Sequence, residues 1–83
     1  MQRLNVQAEL ELLKAPQTLL DYSGGTNPIY VGKSFPGAAT SAPAWQIVKL
    51  TYDGNGNVTV VKLAGGSPAA DQIWDNRVSL TYA

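Results

Sequence analysis

A run of five turn-forming residues, Asp-Gly-Asn-Gly-Asn at positions 53–57, separates two segments rich in aromatic and β-branched side chains. The first segment is Trp45–Tyr52 and the second is Val58–Leu63. Such residues favour strands, and glycine and asparagine accept the positive φ angles that tight hairpin turns need. The sequence therefore predicts an antiparallel hairpin over residues 45–63, which commits the chain to a fold built on an antiparallel sheet.

Other segments of the second half predict shorter elements. An apolar run at Ile29–Val31 predicts one strand, and Arg77–Tyr82, with apolar side chains at alternate positions (Val78, Leu80 and Tyr82), predicts a last one. Residues 34–44 contain two prolines and small side chains, which predict an extended ordered loop or an arm. Residues 69–74 have room for one helical turn.

The first fifteen residues show the most regular alternation in the chain. Apolar side chains stand at every second position: Leu4, Val6, Ala8, Leu10 and Leu12. Period two is typical of a strand with one buried face, although Ala, Glu, Leu and Lys are also good helix formers. The alternation predicts a strand that ends by Pro16, and a helix over residues 1–15 remains an alternative.

Together these segments predict an all-β fold: a small antiparallel sheet or sandwich of four to five strands, with little helix. The 83 residues form one domain, in which residues 1–26 are an N-terminal arm or a strand and turn and residues 27–83 are the β core. A domain of this size hides only about 60% of its unfolded surface and is marginal alone. Because cysteine and histidine are both absent, disulfides and the usual zinc sites are excluded. Association with other chains is then the remaining source of stability.

The charge balance limits the partners. Six basic and six acidic residues cancel, and charged residues make up 14% of the chain. A nucleic-acid ligand needs a basic surplus, so none is expected. No stretch is apolar enough to span a bilayer, and the N-terminal residues lack the apolar run of a secretory signal, so a cytoplasmic site of synthesis and no membrane are predicted.

Two motifs resemble ligand sites without completing them. Gly32-Lys33-Ser34 looks like the end of a phosphate-binding loop, but Asn27 stands where the first glycine is needed and no helix is predicted to follow. Residues 53, 55 and 57 match the opening of a calcium loop, yet its sixth and twelfth positions hold Val58 and Ala64. A strand end and a hairpin turn explain both motifs, so no cofactor and no metal are predicted.

Candidate catalytic groups are equally sparse. Two carboxylate pairs, Glu9 with Glu11 and Asp71 with Asp75, have little room for the facing geometry that glycoside hydrolysis requires. No histidine is available to activate a serine. No enzyme activity is therefore predicted. The predicted interface or core anchors are instead large aromatics and a polar turn near the C-terminus: Tyr30, Trp45, Trp74, Asp75, Arg77 and Tyr82.

Several segments in order resemble small structural proteins of tailed bacteriophages. They are residues 27–33, 36–41, 45–47, 52–58 and 73–77, and the resemblance spans residues 27 to 82, about two thirds of the chain. The resemblance implies a virion component: a capsid decoration protein, a tail or collar adaptor, or the root of a fibre. It implies homo-oligomers, other virion proteins as partners and assembly in the host cytoplasm, and it supplies no catalytic residues. A carbohydrate- or receptor-binding β module that uses exposed Trp45, Trp74 or tyrosines is the alternative.

Overall fold

The computed structural model describes residues 17–83, which form an antiparallel sheet followed by a short 3₁₀-helix. The strands are β1 (Gln17–Asp21), β2 (Tyr30–Ser34), β3 (Pro43–Tyr52), β4 (Val58–Leu63) and β5 (Gln72–Ile73), and the 3₁₀-helix covers Trp74–Ser79. The order across the sheet is β1-β2-β3-β4, and β5 pairs with the beginning of β3. The predicted small antiparallel all-β fold with little helix is confirmed. The predicted N-terminal strand at residues 4–12 lies outside the described residues.

The β3–β4 hairpin is held by the loop that the sequence singled out. Asp53 N–H donates to Asn57 O at 2.9 Å, and Gly56 N–H donates to Asp53 O at 3.2 Å. Gly56 has a φ of +85°, which a residue with a Cβ rarely adopts. The turn residues therefore hold the hairpin as the sequence predicts, and β4 begins and ends at the predicted residues.

The two faces of the sheet differ in what covers them. One, the covered face, carries Leu19 of β1, Tyr30 and Gly32 of β2, and Trp45 and Ile47 of β3. Trp74 packs on this face against Trp45, with ring centroids 6.0 Å apart. Tyr82 packs on it against Tyr30 at 5.8 Å, and the buried Ala64 with the partly buried Leu80, Ile29 and Ala38 completes the core.

The opposite face, the open face, carries an apolar stripe beside a polar row of Thr18, Lys33 and Gln46, and it has no second layer among residues 17–83. Strand pairing aligns one cross-strand row, Leu20, Val31, Val48 and Leu63, and a second, Leu50 and Val61. Leu20 is 51% exposed and Val61 58% exposed, and the other four are half-buried. The fold within the described residues is thus a sheet covered on one side only.

Three predictions for the described residues were incomplete or wrong. β1 lies upstream of residue 27, where the β core was predicted to begin, and sequence analysis did not identify it. The predicted last strand at 77–82 is wrong: Arg77 and Val78 belong to the 3₁₀-helix, and Val78 is 72% exposed. Pairing with the sheet is limited to the end of the segment, where Tyr82 forms a single bridge to Ala64 and Thr81 O accepts a hydrogen bond from Gly65 N–H at 2.8 Å. The helical turn expected within 69–74 is also wrong, because Gln72–Ile73 is the strand β5 and the 3₁₀-helix begins only at Trp74.

Candidate interaction surfaces

The predicted anchor residues separate into core and surface. Trp45 is fully buried, and Tyr30 and Trp74 are 7% and 6% exposed. The indole N–H of Trp45 donates to Ala39 O at 2.9 Å, which ties the 34–44 loop to the core. Tyr82 is half-buried and its hydroxyl donates to Arg77 O at 2.7 Å. Burial, and secondarily the nearby Tyr30, raises the pKa of Tyr82 to about 12.

Arg77 joins the 3₁₀-helix to the first strand. Its Nε donates to Asp21 Oδ2 at 2.6 Å and its Nη1 to Trp74 O at 3.2 Å, and its guanidinium lies 4.6 Å from the Trp74 ring centroid. The Arg77 hydrogen bond, with help from Ser23 N–H, lowers the pKa of Asp21 below 3.8. The polar turn predicted for Asp75 and Arg77 is thus built by Arg77. Asp75 is exposed, and its described contact is its backbone N–H donating to Thr40 O at 3.1 Å.

We expect Arg77→Ala to destabilise the fold by about 1–2 kcal/mol at pH 7, because it removes a half-buried ion pair and the stacking on Trp74. Asp21 has a lowered pKa in the folded state, so its pairing stabilises the fold above pH 3.8 and is lost as the pH falls through the folded-state value. Urea unfolding from pH 7 to 2 should therefore show the difference between wild type and variant shrinking below pH 3.8. An Asp21→Asn variant should remove the same pH dependence, whereas the stacking on Trp74 leaves a smaller difference at pH 2. A difference that stays constant from pH 7 to pH 2 would contradict the assignment.

The incomplete ligand motifs have structural roles. Gly32, Lys33 and Ser34 lie within β2, where Gly32 is buried beneath Trp74 and Trp45. Asp53 uses its carboxylate inside the hairpin, because Oδ1 accepts from Asn55 N–H at 2.8 Å and from Asn57 N–H at 3.0 Å. These amides, that of Asn57 first, lower the pKa of Asp53. Residues 17–83 bring together no group of three or more acidic side chains that would hold a metal ion.

The carboxylates considered for catalysis are not brought into a cleft by the described fold. Asp71 is exposed and accepts a hydrogen bond from the neighbouring Gln72 side chain at 2.9 Å. Asp75 is exposed on the 3₁₀-helix, and Glu9 and Glu11 lie outside the described residues. Of the helices within the described range, none combines the length and apolar character needed to cross a bilayer.

An open groove of about 420 Å³ lies at one end of the sheet, between the β1–β2 loop and the β3–β4 hairpin. Its lining includes Tyr22, Asn27, Tyr52 and Asp53. Tyr22 is 41% exposed, whereas the Tyr52 hydroxyl donates to Pro28 O at 2.6 Å. No lysine or arginine lines the groove. Its chemistry suits a small neutral ligand better than an anion.

The surfaces that sequence analysis missed are the open face, the β4 edge and the Asp21–Arg77 pair. Each depends on tertiary contacts, which bring together residues that are far apart in the chain. Searches of protein-family models, curated proteins and solved structures found no match to this chain. Its function has to be inferred from these surfaces.

Proposed function

We propose that the chain is a non-enzymatic structural subunit that works by self-association and by docking onto neighbouring proteins. The open face carries this proposal. An apolar sheet face is stable when a second layer covers it. The core packs on the covered face, so the row Leu20, Val31, Val48 and Leu63 has no second layer of secondary structure within residues 17–83. A contiguous, partly exposed apolar surface of this kind marks an interaction site.

The energetics favour many contacts over one. Six half-covered aliphatic side chains gain on the order of 5 kcal/mol when a partner buries them, given about 1.5–3 kcal/mol for each full burial. Association itself costs about 4–15 kcal/mol in lost freedom of motion. One such face therefore binds weakly alone, and repeated copies in an assembly bind firmly through avidity. This behaviour suits a component of a large symmetric particle.

The setting we propose is the virion of a tailed bacteriophage, with assembly in the host cytoplasm. The resemblance of residues 27–82 to small phage structural proteins supports this setting. The partners are then further copies of the chain and neighbouring capsid or tail proteins. Recovery of the chain from purified particles at a copy number that matches the particle symmetry would test it.

Charge placed on the open face tests the docking surface. We expect Leu20→Asp to raise the concentration at which the chain self-associates by about 10-fold or more, because a carboxylate in an apolar contact must be desolvated. Native mass spectrometry and light scattering at several concentrations measure this shift. Val78→Asp is the matched control, since Val78 is 72% exposed and lies on the 3₁₀-helix, away from the open face. Equal behaviour of the two variants, or a monomer at every concentration, would contradict the proposal.

A carbohydrate-binding module is the second candidate, and the loop groove is the observation that favours it. Trp45 and Trp74 are buried and do not line the groove, so the expectation that they stack on a sugar is not supported. Tyr22 is the groove aromatic with an exposed ring, and Asn27 and Asp53 supply polar atoms. Calorimetry over a panel of neutral glycans, with Tyr22→Ala as the loss variant, tests this candidate. Tryptophan fluorescence is unsuited to it, because both indoles lie in the core.

A further inference from the structure

We propose that the free edge of β4 accepts residues 4–12 from a second copy of the chain as an added strand. The inference rests on the proposed self-association. It identifies residues 4–12 as the segment, and the β4 edge as the binding site, that link one copy to the next. It draws on three independent features. These are the unpaired backbone at Val61 of β4, two neighbouring lysines without an acidic partner among residues 17–83, and the length of chain that precedes β1.

On the side facing away from β3, the backbone of β4 is hydrogen-bonded at its last residue, Leu63, and unpaired at Val61 within residues 17–83. Leu63 exchanges two hydrogen bonds of 3.1 Å with Ala83, so its N–H and C=O point away from β3. Backbone direction alternates along a strand, so Val61 points the same way. In agreement, its cross-strand neighbour Leu50 directs its N–H to Ile29 O, 2.8 Å away on the other side. Val61 therefore offers a free donor and a free acceptor to an incoming strand.

Two lysines lie side by side at this edge. Lys49 of β3 and Lys62 of β4 are directly paired, and neither has an acidic partner within residues 17–83. Like charges in such a pair are destabilising, and a carboxylate placed opposite Lys62 would relieve them. Lysines and bulges protect edge strands from indiscriminate pairing, and β4 has both, with a register shift opposite Thr51 and Tyr52. The edge thus favours a strand that brings negative charge.

The segment at residues 4–12 has the matching pattern. Its polar positions include Glu9 and Glu11, and its apolar positions alternate with them. In a strand added to β4, the glutamates share a face with Lys62. The apolar side chains of the segment then lie beside Val61 and extend the open face. One segment would thus pair with the charge of Lys62 and also enlarge the apolar stripe.

The length of chain between residues 12 and 17 is too short for residues 4–12 to reach the β4 edge of their own chain, so the donor of the strand is a second copy. A strand outside β4 lies four strand spacings, about 19 Å, from β1, at about 4.8 Å per spacing. The five steps from Leu12 to Gln17, where β1 begins, span at most about 18 Å even when fully extended. A real path must also pass around the side chains of the sheet. The segment of one chain therefore falls short of its own β4 and reaches that of a neighbour.

A charge exchange between chains tests this pairing. We expect Lys62→Glu alone, and Glu9→Lys with Glu11→Lys alone, each to raise the self-association concentration roughly 10-fold, because attraction at the edge becomes repulsion. An equimolar mixture of the two variant proteins should recover wild-type association, since every arm then meets an edge of opposite charge. Asp71→Lys, an exposed charge reversal outside β4, is the control and should change little. Near-ultraviolet dichroism of the buried indoles verifies that each variant remains folded.

The outcomes separate this inference from the proposed function. Wild-type self-association that Lys62→Glu leaves unchanged, or that Asp71→Lys weakens equally, overturns the strand pairing and leaves the open face as the interface. Recovery in a single chain that carries all three changes, without recovery in the mixture, assigns the contact to one chain and also overturns the inference. A wild-type chain that stays monomeric at all concentrations rejects both proposals.

Discussion

Trp45→Ala is expected to leave most of the chain unfolded at 25 °C. Trp45 has no exposed surface, packs 6.0 Å from Trp74, and ties the 34–44 loop to the core through Ala39. Loss of a buried large aromatic costs about 3–5 kcal/mol. A core of this size supplies roughly 3–5 kcal/mol of net stability. Urea denaturation followed by far-ultraviolet dichroism measures the loss without depending on the removed fluorophore.

Two variants calibrate this result. Val78→Ala truncates a side chain that is 72% exposed and should change the free energy of unfolding by about 0.5 kcal/mol or less. Trp45→Phe keeps a ring in the core but removes the N–H that donates to Ala39, so it should fall between the two. A Trp45→Ala protein as stable as Val78→Ala would mean that the sheet does not depend on this core.

The β3–β4 hairpin was predictable because its determinants are local. The loop at 53–57 has residues that accept the required dihedral angles, and the flanking segments have strand-forming side chains. In the structure β3 begins two residues earlier than predicted, at Pro43, and β4 has the predicted bounds. No distant contact has to be known for either strand.

β1 and the C-terminal segment were missed because tertiary contacts decide them. Gln17–Asp21 has no alternation to mark it, yet it completes a five-residue register with β2. At 77–82 the alternation favoured a strand, but Trp74 packs on the covered face. A 3₁₀-helix has three residues per turn and brings Arg77 over the Trp74 ring, which a strand would not do.

The interaction surfaces were beyond sequence analysis for the same reason. Leu20, Val31, Val48 and Leu63 form one row only after three strand pairings are known. Likewise, the pairing of Lys49 with Lys62 follows from the β3–β4 register. The sequence did indicate a chain with little charge and a core too small to be stable alone. The open face is where apolar surface is left without a second layer within residues 17–83.

Gly32→Ala is expected to destabilise the fold by about 3 kcal/mol, although alanine is the better strand former. A Cβ at this position would lie 2.6 Å from Cζ3 of Trp74, closer still to Cε3 of the same ring, and 3.2 Å from Cε3 of Trp45. Ordinary van der Waals contact needs about 3.5–4.0 Å, and overpacking a close-packed core costs about 1–3 kcal/mol, occasionally more. The Trp74 ring lies between Gly32 and the guanidinium of Arg77, so it has little room to move away from an added Cβ. Urea denaturation measures the change.

The cause is steric, and two further variants isolate it. Gly54→Ala is the matched control, because a Cβ there meets nothing within 4 Å, and it should leave stability nearly unchanged. Trp74→Leu makes room above β2, so adding Gly32→Ala to it should cost far less than Gly32→Ala costs in the wild type. If the two costs are equal, the Trp74 ring does not sit on Gly32. The C-terminal segment would then not be the layer that covers this face, and both faces of the sheet would need a partner.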